Sequence, residues 1–184
     1  MIERGLLAPL ASALLLLSAS PAAAQGFSSL KNHDTEAPLD VDAERIEVRD
    51  KEKIAVFSGS VKVVQGDLTL TADEMRVYYQ QVGDGDPTIQ RLDASGNVRL
   101  ISPTDKARAR NGVYDVEERT VTMTGDVQLQ RRQDVLNGQR LQVNLTSGTA
   151  TLDGAPPRGN TPAIRVTGRF SVPPKQSDDK PQSR

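Results

Sequence analysis

One strand pattern that recurs three times constrains the fold of this sequence more than any other feature. Each copy centres on a glycine, namely Gly59, Gly96 or Gly125, with apolar residues at every second position on both sides. Alternation of this kind places the apolar side chains on one face of an extended strand. The rows are Ala55, Phe57, Val61 and Val63, then Leu92, Ala94, Val98 and Leu100, then Val121, Met123, Val127 and Leu129. The repetition predicts a stack of similar β units.

A second strand follows each glycine, and its apolar row changes parity in mid-strand. In the first copy Ala72 has an even number, whereas Met75 and Val77 have odd numbers. A strand that keeps one face inward across such a slip needs a bulge or a corner, which we place near Asp73 and Glu74. The downstream copies repeat the slip, so all units are predicted to bend at the same place.

The spacing of the copies is regular. The same interval of thirteen residues separates each glycine from a small residue near the corner, in the pairs Gly59–Ala72, Gly96–Ala109 and Gly125–Gly138. A longer gap between the first two copies predicts an inserted loop over residues 82–87. No window outside the N-terminal residues has a helical period. We predict an all-β domain, either a solenoid-like stack of bent strands or an elongated jelly roll, open at both ends.

The N-terminal residues predict export. Residues 1–24 read as a cleaved secretory signal, with Arg4 before an apolar run and small residues at its end. An uncleaved membrane anchor is the alternative, although the run is shorter than the ~20 residues that a spanning helix needs. The rest of the chain is predicted to comprise a flexible leader (25–39), the β domain (40–154), a linker with a possible edge strand (155–171) and a disordered tail (172–184).

Composition excludes several functions. The chain has no cysteine and a net charge of −1, so disulfides are excluded and the basic excess typical of nucleic-acid binding is missing. The single histidine, His33, falls in the predicted leader, where we expect it to be solvent-exposed and without catalytic partners. Asp84 and Asp86 favour a turn over a calcium site because the EF-hand spacing is missing. We predict no enzymatic activity, no metal and no cofactor.

The inward-facing residues form the candidate binding surface. Alternation does not distinguish a closed core from an apolar slot between two sheets, so both interpretations stay open for each residue. The candidates are Phe57, Val61, Val63, Leu70, Met75, Val77, Leu92, Val98, Leu100, Tyr114, Val121, Met123, Val127, Leu129, Leu141 and Val143. Arg131 and Arg132 suit phosphate groups, but we favour a solvated surface for them, because long charged side chains usually stay in water.

A stack of strands ends in unpaired backbone groups, which recruit another strand unless they are blocked. End-to-end pairing with a similar domain is therefore expected. The candidate partner edges are Val41, Ile46 and Val48 at one end and Leu145 and Leu152 at the other. Blocking of these edges by charged neighbours is the alternative.

The repeated units carry a resemblance to a known family. Segments Phe57–Val63, Leu92–Leu100 and Thr124–Leu129, with the corner segment Thr71–Met75, resemble the OstA-like domain of the LptA family of lipopolysaccharide-transport bridge proteins. The resemblance covers about residues 40–154. It implies a slightly twisted β-jelly roll in the periplasm that holds the acyl chains of lipopolysaccharide in its groove.

The resemblance also implies partners. These are a membrane-anchored LptC-like protein at one end, an outer-membrane LptD-like protein at the other, and further copies joined end to end. The sequence contains no phosphate-binding glycine loop, so an ATP-driven partner is expected to supply the energy.

Other functions stay open. One is a ligand-free structural β-solenoid that only scaffolds. Another is a membrane-anchored LptC-type protein, if the signal is not cleaved. A polysaccharide-active enzyme is disfavoured, because the chain has no tryptophan and few other aromatic residues for a sugar platform.

Overall fold

The computed structural model describes residues 33–81, 83, 85–159 and 162–171. The predicted signal, residues 25–32 of the predicted leader and the predicted tail lie outside these residues. None of the described residues belongs to a helix long and apolar enough to span a membrane. They form ten strands: β1 (Asp40–Asp42), β2 (Arg45–Arg49), β3 (Ile54–Gln65), β4 (Leu68–Gln80), β5 (Thr88–Ile101), β6 (Asp105–Asp115), β7 (Thr120–Arg131), β8 (Asp134–Asn144), β9 (Thr149–Asp153) and β10 (Thr167–Arg169).

The strands form one antiparallel sheet in the order β1-β3-β4-β5-β6-β7-β8-β10. Strand β2 pairs with the N-terminal part of β3, and β9 pairs with the C-terminal part of β8. At each end of the sheet, two short strands therefore pair with the two parts of one long strand: β1 and β2 with β3, and β10 and β9 with β8. The prediction of an all-β fold is confirmed. Strand β10 lies within residues 155–171, which were predicted as a linker with a possible edge strand.

Every long strand bends, so the sheet consists of two half-sheets. The first half-sheet contains β1, residues 61–65, 68–72, 98–101, 105–109, 127–131 and 134–138, and β10. The second contains β2, residues 54–58, 74–80, 88–95, 111–115, 120–124 and 140–144, and β9. The inner faces oppose each other, because residues of both half-sheets line a common cavity. We call the bend line the spine and the opposite side, where the turns lie, the mouth.

The bend follows the predicted parity slip. Ala72 and Met75 are both buried, although two residues separate them, and the ladder register shifts between them. The extra residue of each bulge, however, lies in the glycine strands β3, β5 and β7. In β5 both Gly96 and Asn97 have positive φ angles, of 74° and 46°. Glycine adopts this conformation without steric cost, which explains its recurrence at the bend.

Polar contacts join neighbouring strands along the spine. Ser60 Oγ donates a hydrogen bond to Glu44 Oε1 over 3.0 Å, and Asn97 Nδ2 donates one to Asp73 Oδ2 over 2.9 Å. Further along, Arg110 forms an ion pair with Asp126 at 3.2 Å. The residue after each bulge glycine therefore contacts a residue at the neighbouring bend: Glu44 between β1 and β2, Asp73 in β4 or Arg110 in β6.

Candidate functional site

The interior between the half-sheets is apolar from one end of the sheet to the other. Of the predicted candidate residues, all are buried except Phe57, which is half-buried. Met75, Leu92, Val98 and Met123 are fully inaccessible to solvent. Small residues that the prediction left out complete the lining, among them Ala94, Ala107 and Ala109. Whether this surface binds lipid stays a prediction, because burial alone does not distinguish a core from a groove.

The interior side chains leave little free space in this conformation. A cavity of about 20 Å³ is lined by residues of both half-sheets, including Val63, Leu70, Leu92 and Val121. A second cavity of about 10 Å³ lies toward β7 and β8, next to Leu129 and Leu141. Each has room for about one water molecule, so an acyl chain fits only if the half-sheets separate.

A polar network closes the mouth near β3 and β6. Gln65 is 4% exposed, and its Oε1 accepts a hydrogen bond over 3.0 Å from the hydroxyl of Tyr114. Gln65 belongs to the first half-sheet and Tyr114 to the second, so this bond bridges the two. Burial raises the pKa of Tyr114, which keeps its hydroxyl protonated as the donor at neutral pH.

Residues 33–37 cross the same part of the mouth, and we call them the mouth strap. Gln65 Nε2 donates hydrogen bonds over 3.0 Å to the carbonyl oxygens of Thr35 and Ala37. Glu36 forms an ion pair with Arg119, in the turn between β6 and β7, at 2.6 Å. The strap therefore contacts both half-sheets.

The expected exposure of His33 is wrong. Its side chain is inaccessible to solvent, with Nδ1 3.0 Å from Asp67 Oδ1 and Nε2 3.3 Å from Gln65 Oε1. Asp67 lies in the β3–β4 turn, so His33 joins the strap to the rim of the first half-sheet. The residues around His33 are polar, and nothing in their sequence indicated that they return to the mouth.

The rim near the β5–β6 turn carries a buried carboxylate. Asp105 is 5% exposed, and its Oδ2 accepts a hydrogen bond from Thr104 Oγ1 over 2.7 Å. Arg131 Nε lies 3.5 Å from Asp105 Oδ1. Of the two arginines considered as phosphate ligands, Arg131 lies next to Asp105, whereas Arg132 is exposed in the β7–β8 turn.

The candidate edge residues differ in exposure. Ile46 and Val48 on β2 are 55% and 56% exposed, while Val41 and Leu152 pack partly against the core. Leu145 is 1% exposed, so its assignment to an edge surface is wrong: its side chain belongs to the core, just beyond β8. Ile164, Val166 and Phe170 near β10 are exposed, and they lie in the segment that the sequence predicted as a possible edge strand.

The described residues do not offer a metal site. No group of three or more His, Cys, Asp or Glu side chains among them is arranged to hold a metal ion. Val82 and Asp84 of the predicted 82–87 loop lie outside the described residues. The adjacent acidic residues Glu117 and Glu118 lie in the turn between β6 and β7.

An elongated antiparallel jelly roll with an apolar interior between two half-sheets is thus the class of protein that the fold and the site define. Residues 40–149 match a family model described as "LptA/(LptD N-terminal domain) LPS transport protein". The chain therefore belongs to this family and is an LptA-like protein.

Two further proteins are similar to this chain in sequence. An uncharacterized protein of Rhizobium meliloti (strain 1021) is 34% identical over 145 residues, which cover 74% of this chain and 78% of that protein. The LPS-assembly protein LptD of Nitrosomonas europaea is 31% identical over 93 residues, which cover 50% of this chain but only 13% of that protein.

The fold has a counterpart among solved structures. The crystal structure of LptH, the LptA-homologous periplasmic component of the lipopolysaccharide-transport device of Pseudomonas aeruginosa, matches with a TM-score of 0.64. The match covers 76% of this chain and 99% of LptH at 19% sequence identity. The LptA-like β-jelly-roll fold implied by the sequence is confirmed.

Proposed function

We propose that this protein is a periplasmic bridge that binds lipopolysaccharide, shields its acyl chains between the half-sheets and passes it toward the outer membrane. The observation that carries the proposal is the apolar interior that extends from β3 to β8 without a buried charge along its length, except Asp105 at the rim. Membership in a family of LPS transport proteins supports the choice of ligand. The role is transport and requires no catalytic group.

Shielding acyl chains from water explains why such an interior is useful. Each methylene group removed from water contributes about 0.8 kcal/mol, so a lipid with several chains does not cross an aqueous compartment unassisted. Because the interior residues between the polar rims are nearly all apolar, neighbouring positions offer a chain similar affinities. A lipid can then move along the interior without a deep energy minimum.

The closed interior implies that binding requires a conformational change. The half-sheets must separate at the mouth, which breaks the Tyr114–Gln65 hydrogen bond and the Glu36–Arg119 ion pair. The apolar side chains then exchange their contacts with each other for contacts with the acyl chains.

The ends of the sheet are the proposed contact sites for partners. Ile46 and Val48 are exposed on β2, beside the unpaired backbone of an edge strand, and Phe170 is exposed beside β10. Strand addition at such edges is a common mode of recognition. We propose an LptC-like protein at one end, an LptD-like protein at the other and end-to-end association of copies between them. The predicted signal at residues 1–24 fits export to the periplasm.

A pair of matched substitutions tests the proposed site. Asp introduced at Val98 or Val127, which are 0% and 1% exposed, places a carboxylate in the interior. Asp introduced at Val113, which is half-buried on the outer face of β6, is the control. Native mass spectrometry of freshly isolated protein is expected to detect bound lipopolysaccharide in the wild type and the control, but not in folded interior variants. A folded Val98→Asp protein with wild-type lipid occupancy would contradict the proposed site.

The small size of the cavities favours a second candidate, a structural scaffold without a ligand. In that case the interior is an ordinary core that never opens. Gentle extraction separates the two candidates: wild-type protein that carries no lipid, and that takes up none from added lipopolysaccharide, supports the scaffold.

A further inference from the structure

The outer faces of the two half-sheets differ in how their charges are paired. On the second half-sheet, Arg76 lies 2.9 Å from Glu74, Arg91 contacts Asp93, and Arg140 lies opposite Asp153 in the register. Positive and negative side chains there alternate across the strands. Such a surface is neutral and needs no further ligand.

Within the part of the chain that the structure describes, the first half-sheet has a cluster of cations without ion-pair partners on its outer face. Arg99, Lys106 and Arg108 are exposed, and each stands between two buried residues of its strand, so all three point outward. Arg99 and Arg108 are direct register partners on β5 and β6. Among the described residues, none of the three forms an ion pair within 4.0 Å. We call these three residues the basic face.

The neighbours of the basic face do not neutralise it. On one side the register places Thr69 and Thr71 of β4, and on the other it places Gln128 and Gln130 of β7. Two rows of paired residues cross the half-sheet here, one through Arg99 and Arg108 and the other through Ile101 and Lys106. In these two rows acidic residues occur only on edge strand β1, where Asp42 lies opposite Lys62. Like charges directly opposite each other destabilise a sheet, so this arrangement carries a cost that a bound anion removes.

The shape of the surface suits a small anionic group. A depression of about 370 Å³ lies on this face and is lined by Arg99, Ile101, Lys106, Arg108, Gln128 and Gln130. Two guanidinium groups on adjacent strands are able to bind the oxygens of one phosphate, and Lys106 adds a third charge. The glutamine side chains offer hydrogen bonds to neighbouring hydroxyl groups.

We propose that the basic face binds the phosphate groups of the glycolipid headgroup while the acyl chains lie between the half-sheets. The inference rests on the proposed function and names a site for the polar part of the same ligand. Lys106 and Ile101 are the last outward residues before the β5–β6 turn, so the basic face begins at the rim of the mouth. A headgroup that leaves the interior at the mouth and turns over this rim meets Lys106 first and then the two arginines.

The test compares two lipids and two double variants. The lipids are bisphosphorylated lipid A and the same lipid A after enzymatic removal of both phosphates. The variants are Arg99→Gln with Arg108→Gln and, as the control with the same change of charge on the other half-sheet, Arg76→Gln with Arg91→Gln. Binding is measured by titration calorimetry at 50 and 200 mM salt.

We expect the Arg99/Arg108 variant to bind bisphosphorylated lipid A about tenfold more weakly than wild type and to lose most of the salt dependence. Its affinity for the dephosphorylated lipid should stay within about twofold, as should both affinities of the control. Because the variant removes a repulsive pair, its Tm should be unchanged or slightly higher, which shows that it folds.

Two results overturn the inference but not the proposed function: undiminished binding of bisphosphorylated lipid A by the Arg99/Arg108 variant, or an equal loss for both lipids. If the wild-type protein binds neither of the two lipids, both the inference and the proposed function are overturned.

Discussion

Replacement of Tyr114 by phenylalanine removes one hydroxyl group from the mouth and leaves the apolar ring in place. The hydroxyl donates its hydrogen bond across the two half-sheets to Gln65 over 3.0 Å. Gln65 keeps its bonds to the mouth strap, so the substitution loosens the closed state without opening a cavity. A neutral hydrogen bond of this kind contributes about 1 kcal/mol to stability.

Loss of this hydrogen bond also changes the affinity for lipid, if lipid binds only after the half-sheets separate. The bond exists only in the closed state, so its loss shifts the equilibrium toward the open state by about fivefold. The apparent affinity for a lipid is the intrinsic affinity multiplied by the open fraction. Tyr114→Phe should therefore bind an acyl probe about fivefold more tightly, although the protein is less stable by about 1 kcal/mol.

Fluorescence titration with cis-parinaric acid measures this affinity, and thermal unfolding measures the loss of stability. Tyr79→Phe is the matched control, because the Tyr79 hydroxyl also donates a hydrogen bond, to Asp50 Oδ1 over 2.9 Å, but this bond stays within the second half-sheet. The control should leave probe affinity unchanged. If Tyr114→Phe is destabilised but binds the probe no more tightly than Tyr79→Phe, separation at this part of the mouth does not limit binding.

Two further outcomes follow from the spine and the edges. Gly96→Ala should destabilise the protein by about 1–3 kcal/mol, because Gly96 has φ 74° and an added Cβ collides with Asp73. Thermal unfolding measures this loss. Gly83→Ala is the control for backbone strain alone, because Gly83 has φ 65° but no atom lies near an added Cβ. A Tm loss no greater than that of the control contradicts the role of the close approach. Ile46→Lys should weaken end-to-end association and leave Tm nearly unchanged, because Ile46 is 55% exposed; analytical ultracentrifugation measures the association, and an unchanged oligomer distribution argues against the β2 edge.

The bent strands and the inward row could be predicted because both depend on local alternation. A residue such as Val98 or Met123 occupies a position whose facing follows from its strand alone. The position of the bulge was harder to predict from the sequence. The apolar row changes parity in β4, whereas the extra residue lies in the partner strand β5, at Gly96 and Asn97. A bulge depends on the register between two paired strands, whereas the alternation of apolar residues is a property of one strand.

The mouth could not be predicted, because its contacts join parts of the chain that no local pattern relates. His33 and Gln65 meet across 32 residues, and Tyr114 reaches Gln65 across 49. Each of these side chains is ordinary in its own segment and becomes significant only when the strap returns to the sheet. For the same reason alternation left open whether the interior is closed or open, since that depends on how far apart the two half-sheets lie.

The spine limits the motions available to this molecule. Because each long strand runs through the bend from one half-sheet into the other, the two halves cannot slide past each other without breaking ladder hydrogen bonds. The motion that remains is a hinge rotation of one half-sheet relative to the other about the spine, where Gly59, Gly96 and Gly125 lie. Widening at one strand then pulls on its neighbours. Under the proposed function, a lipid moving through the interior would therefore open a gap ahead of itself that closes again behind it.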